Sequence, residues 1–231
     1  MEEIAEESYD NMEAYLNIRS KANEKIHKGG EMIDGLYKLF AQKHNVLLSE
    51  REDKMSIQID KVNKVFDYYE NVYLIFFKSN IQESYLIKAL NSKDFSSAEQ
   101  NRNALKDVSS AGLNKLDTVK SFQNDRSLIL ACRRTLEFYK IEASDKMVIV
   151  MDFMMKNENF EKLKKTIGSK DPMLRSKDET DEYNTAIKEY NIAVRKYNSV
   201  CKVLDQQRST KVTEWNTSVH NYLEKYVPKY N

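Results

Sequence analysis

The chain has 231 residues, and its 37 Lys and Arg stand against 36 Asp and Glu, leaving a net charge of +1. Its five glycines and two prolines make seven residues of 231, about 3%, where average usage gives roughly 12%. So little turn chemistry excludes folds with many tight connections, such as β-sandwiches, propellers and doubly wound α/β sheets, and leaves long helices. A near-zero net charge removes the bulk attraction that a nucleic-acid binder or a strongly basic membrane-surface protein uses, so no nucleic acid is expected as a partner. The longest apolar runs, Val72–Phe77 and Met147–Met155, fall well short of the ~20 residues of a membrane span, and Asp152 interrupts the second. Met1-Glu2-Glu3 has no basic region followed by an apolar one, so no secretory signal is read in the sequence. Two cysteines, Cys132 and Cys201, make neither a disulfide framework nor a structural zinc set.

Apolar residues recur at intervals of three and four nearly everywhere. In the first segment Tyr15, Ala22, Ile26, Ile33, Leu36 and Phe40 fall on one helical stripe, and Gly29-Gly30 reads as a break or a close helix contact. The second segment is the cleanest, with Met55, Ile59, Val62, Phe66, Tyr69, Tyr73 and Phe76 in an a/d pattern that predicts a helix packed along its length from Ser49 to about Leu90. Asn91-Ser92-Lys93-Asp94 breaks it, and Ser96-Ser97-Ala98-Glu99 offers a capping box for a third helix with Leu105, Val108, Leu116 and Val119 inward. Phe122–Asp125 is the next turn, with Asn124 or Asp125 capping a fourth helix that carries Leu128, Ala131, Thr135, Phe138, Met147, Val150 and Met154. The strongest helix stop is Thr166–Pro172, which holds Gly168 and Pro172.

From about Lys177 to Val227 nothing breaks the pattern, which predicts a single helix of ~50 residues, roughly 75 Å long, ended by Pro228. Tyr183-Asn184, Tyr190-Asn191 and Tyr197-Asn198 repeat every seven residues, and Ile187, Val194, Cys201 and Leu204 complete one heptad seam. After Leu204 the phase changes: Arg208 and Lys211 stand where apolar residues belong, while Val212, Trp215, Val219, Tyr222 and Tyr226 resume. The shift predicts that the distal end packs on a different neighbour. No repeat of 20–50 residues and no composition shift marks a second domain, so the expected fold is one all-α domain over residues 1–231. It is an antiparallel bundle of four to five long helices, with 1–10 and 166–178 as mobile segments.

The residues name no reaction. Glu24-x-x-His27 puts a carboxylate and an imidazole on one helix face, but a di-iron bundle needs that motif twice plus two more carboxylates, and neither His44 nor His220 supplies it. Gly29-Gly30-x-x-x-x-Gly35 is followed by Leu36-Tyr37 where a phosphate loop needs Lys and Ser or Thr. Catalytic residues, metal and cofactors are therefore expected to be absent. The tyrosines are the better signal: Tyr69 and Tyr73 with Tyr183, Tyr190 and Tyr197 would line a bundle seam, as a polar-tipped core, as a ligand cleft, or as an interface with a second chain.

Leu116-Asp117-Thr118-Val119-Lys120-Ser121-Phe122, the Asn124-Asp125-x-x-Leu128 start leading to Leu136–Lys140, and a long Tyr-Asn-rich helix closing in Trp215-Asn216 and Tyr226-Val227-Pro228 carry a resemblance. Over roughly residues 60–229 the chain resembles a family of uncharacterised surface lipoproteins of Bacteroidetes and Leptospira, and the Tyr-Asn repeat is similar to the last helix of the LemA family. The resemblance implies an all-helical, non-enzymatic cell-envelope protein, lipid-anchored in its precursor through a signal and cysteine that this sequence lacks. On that reading it binds a protein or envelope component as a monomer or homodimer, and meets the membrane only through the anchor. The alternatives are a coiled-coil assembly module, cytoplasmic or membrane-associated, and a bundle with a Tyr-lined ligand cleft.

Overall fold

The computed structural model describes residues 7–49 and 54–229, all helices and short connections apart from one isolated bridge. Helix α1 spans Tyr9–His44, α2 Lys54–Asn91, α3 Phe95–Thr118 and α4 Ser127–Ile141. A π-turn, Glu142–Lys146, carries α4 without interruption into α5, Met147–Leu163, and a second π-turn, Lys164–Gly168, ends that rod. After a 3-10 turn at Pro172–Leu174 comes α6, Lys177–Tyr226, the predicted 50-residue helix. The expected all-α bundle with a long C-terminal helix is thus the fold. The expected mobile segment 1–10 lies outside the described residues as far as residue 6; beyond it Ser8 caps α1 by accepting from the Asn11 amide.

Caps account for the boundaries. Asp94, two residues before the expected Ser96, is the N-cap of α3, because its carboxylate accepts from the Ser97 amide. Ser176 and Glu179 form a full capping box at the start of α6. Between α3 and α4 the chain reverses through Gln123 and Asn124, both at positive φ, and Asp125 Oδ1 accepts from the Ser127 amide at 2.7 Å. Asp125 also holds Lys225 Nζ at 2.8 Å and the Tyr226 hydroxyl at 3.0 Å, so one carboxylate ties the α3–α4 turn to the end of α6.

Among the described residues three core clusters are buried: two larger ones fill the bundle, and a small one seats Met12 and Leu16 of α1 on Phe77 of α2. In the first, Val72, Ile75 and Phe76 of α2 meet Leu116 of α3, Leu128, Cys132 and Leu136 of α4, and Trp215 and Tyr222 of α6. Phe76 and Trp215 stack at 4.4 Å between centroids. Gly112 lets α3 come this close to α4, since a Cβ there would lie 2.5 Å from Leu136 Cδ2. The second cluster joins Leu86 and Ala89 of α2, Ala98 and Leu105 of α3, Tyr139, Ala143, Met147, Val150, and Leu204 of α6.

Two sequence expectations need correction. Of the predicted α2 stripe only Phe76 is buried: Val62, Phe66, Tyr69 and Tyr73 are half-buried and Met55 and Ile59 are each 52% exposed, while the other large apolar residues that the helix buries are Val65, Val72, Ile75, Phe77 and Leu86. The α1 stripe is not core at all beyond its first turns, because Ile26, Ile33, Leu36 and Phe40 are exposed and the helix runs straight through Gly29-Gly30. Periodicity marks which face is apolar, and the bundle is too short at that end to cover it.

Candidate functional site

The distal half of α6 packs into the first core cluster and the proximal half packs on α5, as the phase shift predicted. Tyr197 stacks on Phe153 at 4.2 Å, Tyr190 on Phe160 at 4.6 Å, and Tyr183 on Phe160 at 6.2 Å. The Tyr-Asn heptad is therefore an intramolecular ladder between antiparallel helices, with Ala186 and Ala193 buried beside it. Asn184, Asn191 and Asn198 face water. Tyr69 and Tyr73 lie elsewhere, in a groove of about 590 Å³ with Trp215 and His220. The structure thus does not bring the five tyrosines together.

Where α6 changes neighbour, a cleft of about 820 Å³ opens between the end of α2, α5 and α6. That volume lies within the range of small-molecule sites. Its walls are apolar and soft: Ile87 and Leu90 from α2, Met147, Val150, Phe153 and Met154 from α5, and Leu204 from α6. Of the five predicted tyrosines, Tyr197 lines this cleft. Its charged lining residues are Asp205 and Arg208 of α6, Glu158 and Glu161 of α5, and Lys93.

Arg208 lines the cleft and joins it to two carboxylates that do not, Glu83 and Glu142. Its Nε lies 2.9 Å from Glu83 Oε1 of α2 and donates to Glu142 Oε1 of the π-turn at 2.6 Å, and its Nη1 donates to Asp205 at 2.8 Å. One guanidinium thus serves three carboxylates. Glu142 is fully buried, Arg208 and Glu83 are 19% and 15% exposed, and among the described residues Glu142 Oε2 has no hydrogen-bond partner. Glu142 owes its place to the widened turn, in which the Met147 amide reaches back five residues to the Glu142 carbonyl. Burial pushes the Glu142 carboxyl up to about 7 even against the pull of Arg208, and burial likewise raises Glu83. Beside them Tyr139 donates to Asn80 Oδ1 at 2.9 Å, and burial raises its hydroxyl far above the ordinary range.

Sequence reasoning noted Arg208 only as a phase error and missed Glu83 and Glu142. A signal existed for two of them. Arg208 occupies an apolar position of the α6 seam, and Glu142 follows Thr135 and Tyr139 at helical spacing on the buried stripe of α4. Both cysteines are free; burial raises Cys132 far above its usual range, and Cys201 is raised less, again mainly by burial. Glu24 and His27 sit on the exposed face of α1, where Glu24 pairs with Lys28 and His27 faces Glu31. Among the described residues no group of three or more His, Cys, Asp or Glu is placed to hold a metal ion, and no helix is long and apolar enough to cross a membrane.

Fold and site together define a class, a helical bundle with an apolar interhelical cleft joined through Arg208 to a buried Glu-Arg-Glu cluster. Set against known protein families, curated proteins and solved structures, the chain matches none of them.

Proposed function

We propose that this chain is a non-enzymatic binding protein whose α2–α5–α6 cleft takes an amphipathic ligand with a positively charged end. The observation that carries the reading is the charge imbalance around Arg208: of this group only Arg208 and Asp205 line the apolar cleft, while Glu83 and Glu142 hold the same guanidinium from outside the lining, so three carboxylates surround one cation. Excess negative charge in a half-dry site favours a cation, and an aliphatic or aromatic body fits the Met and Phe walls. No nucleophile with an activating base lies in the cleft, where Cys201 has its thiol raised rather than lowered, which supports binding over catalysis. Placement in the cell envelope belongs to the same proposal and rests on the resemblance of residues 60–229.

The test uses three probes of one chain length, decyltrimethylammonium, decanoate and decanol, each below its micelle-forming concentration, titrated into the purified chain by calorimetry. The cation should bind best, and Met154→Trp, which fills the cleft, should abolish binding. Equal binding of decanoate, or binding that survives Met154→Trp, would contradict the reading. A ligand-linked pH effect is also expected. A cation favours ionised Glu142, so affinity should rise as pH climbs toward about 7 and level off above it.

A further inference from the structure

Helix α1 leaves the bundle after its first turns. Met12 and Leu16 lie on Phe77, and Arg19 pairs with Glu70 and stands 6.0 Å over the Phe66 ring. From Ser20 to Phe40, roughly 30 Å of helix, no side chain is buried. This stretch holds Gly29, Gly30 and Gly35, three of the five glycines of the chain, and around each of them the place of a Cβ is open, with nothing within 4 Å. A helix so rich in glycine is marginal when uncovered, and a partner packed along it would offset that cost.

The apolar positions say what. Ala22, Ile26, Gly29, Ile33, Leu36 and Phe40 repeat at alternating steps of four and three, with Ile26, Ile33 and Phe40 as one row and Ala22, Gly29 and Leu36 as the other. In an antiparallel pair of identical helices each row meets the other. One register then sets Phe40 against Ala22, Ile33 against Gly29 and Ile26 against Leu36, large against small in two of the three layers. A two-fold axis near residue 31 generates every layer twice, as a self-complementary interface requires.

The flanks agree with this register. Met32 faces Met32 on one side of the axis and Gly30 faces Gly30 on the other, while Glu24, His27, Lys28 and Glu31 fall on the outer face, where they pair along their own helix. The side that grips the bundle, Met12 and Leu16, lies roughly a quarter-turn round the helix from the seam, so both contacts can be made at once. Seven large apolar side chains within 22–40, Ile26, Met32, Ile33, Leu36, Tyr37, Leu39 and Phe40, are 54–73% exposed, an apolar surface on the order of the roughly 800 Å² that one partner buries in a standard specific interface.

We infer that α1 is a dimerisation arm: two copies of this chain pair antiparallel along residues 22–40, using Gly29 as the hole for Ile33 of the other copy. The inference is independent of the cleft. It assigns the interface to α1, whereas the Tyr-Asn heptad, the sequence candidate for pairing, is occupied by α5.

Sedimentation equilibrium of the full chain should give twice 27.1 kDa, and Ile33→Asp, at a 54%-exposed site outside every core cluster, should weaken association by about a hundredfold or more while leaving the helical circular dichroism unchanged. In a Cys201→Ala background, Met32→Cys should form a disulfide-linked dimer under mild oxidation and Leu36→Cys should not, because only residues near the axis meet their own copies. A wild-type monomer at all concentrations would overturn the inference, as would an Ile33→Asp variant that stays dimeric. Crosslinking at Leu36→Cys would overturn the antiparallel register.

Discussion

The two halves of α6 are one continuous helix with opposite uses. The distal half drives Trp215 and Tyr222, each 2% exposed, into a core built from three other helices. The proximal half lays half-buried tyrosines on the single helix α5, and its fully buried contacts are small, Ala186 and Ala193. Between them the chain places Arg208, a charge where the heptad calls for a hydrophobe. The difference teaches that a long helix can be anchored at one end for stability and left loosely packed at the other, where a cleft costs little. The charged cluster marks the boundary.

Substitutions at matched positions break or sharpen that contrast. Trp215→Ala should cost about 3–5 kcal/mol in chemical denaturation, since it empties the stack with Phe76. Arg208→Ala should cost about as much, roughly 3–5 kcal/mol, because it strands two buried carboxylates, whereas Glu142→Gln, which keeps the Arg208 contacts and removes a charge, should be neutral or stabilising at pH 8. Gly112→Ala should cost about 1–3 kcal/mol by forcing α3 off Leu136. Tyr190→Ala on the ladder should cost about 1–2 kcal/mol, less than any full core truncation, and a loss equal to that of Trp215→Ala would erase the distinction between the halves. Asp125→Asn should cost about 1 kcal/mol, since its bonds to Lys225 and Tyr226 are near the surface.

The same contrast has a pH signature with two opposite signs. Lys225, foremost, holds the Asp125 carboxyl below the carboxylate range, so its contribution is full above the unfolded value of about 3.8 and fades as pH falls through the lower folded value. Glu142 is the reverse. Its folded carboxyl, near 7, lies above the unfolded value of about 4.5, so the native state holds the proton longer and stability should decline as pH rises from about 4.5 to 7. Glu142→Gln should flatten that decline in urea midpoints measured across the range.

Much of the fold was legible in the sequence. Scarce glycine and proline, the breaks at Asn91–Asp94 and Thr166–Pro172, and the phase shift after Leu204 place α2 through α6 and the change of neighbour along α6. The depth of burial was not legible, because a stripe of apolar residues looks the same on a covered helix as on an uncovered one. Phe66, at the middle of the cleanest stripe, is only half-buried, and beyond Tyr15 the α1 stripe, from Ala22 to Phe40, is exposed. The site was legible only as an irregularity. Arg208 broke a pattern, but Glu83 and Glu142 are distant in sequence, and a π-turn shifts a register without any glycine or proline to announce it.

The most direct test of the charged cluster and its cleft is a carbon-detected NMR titration of the Glu142 carboxyl, with and without decyltrimethylammonium. The account predicts a midpoint near 7 in the free protein that moves down when the cation is bound. A free midpoint in the ordinary glutamate range, or one that the cation leaves in place, would contradict it.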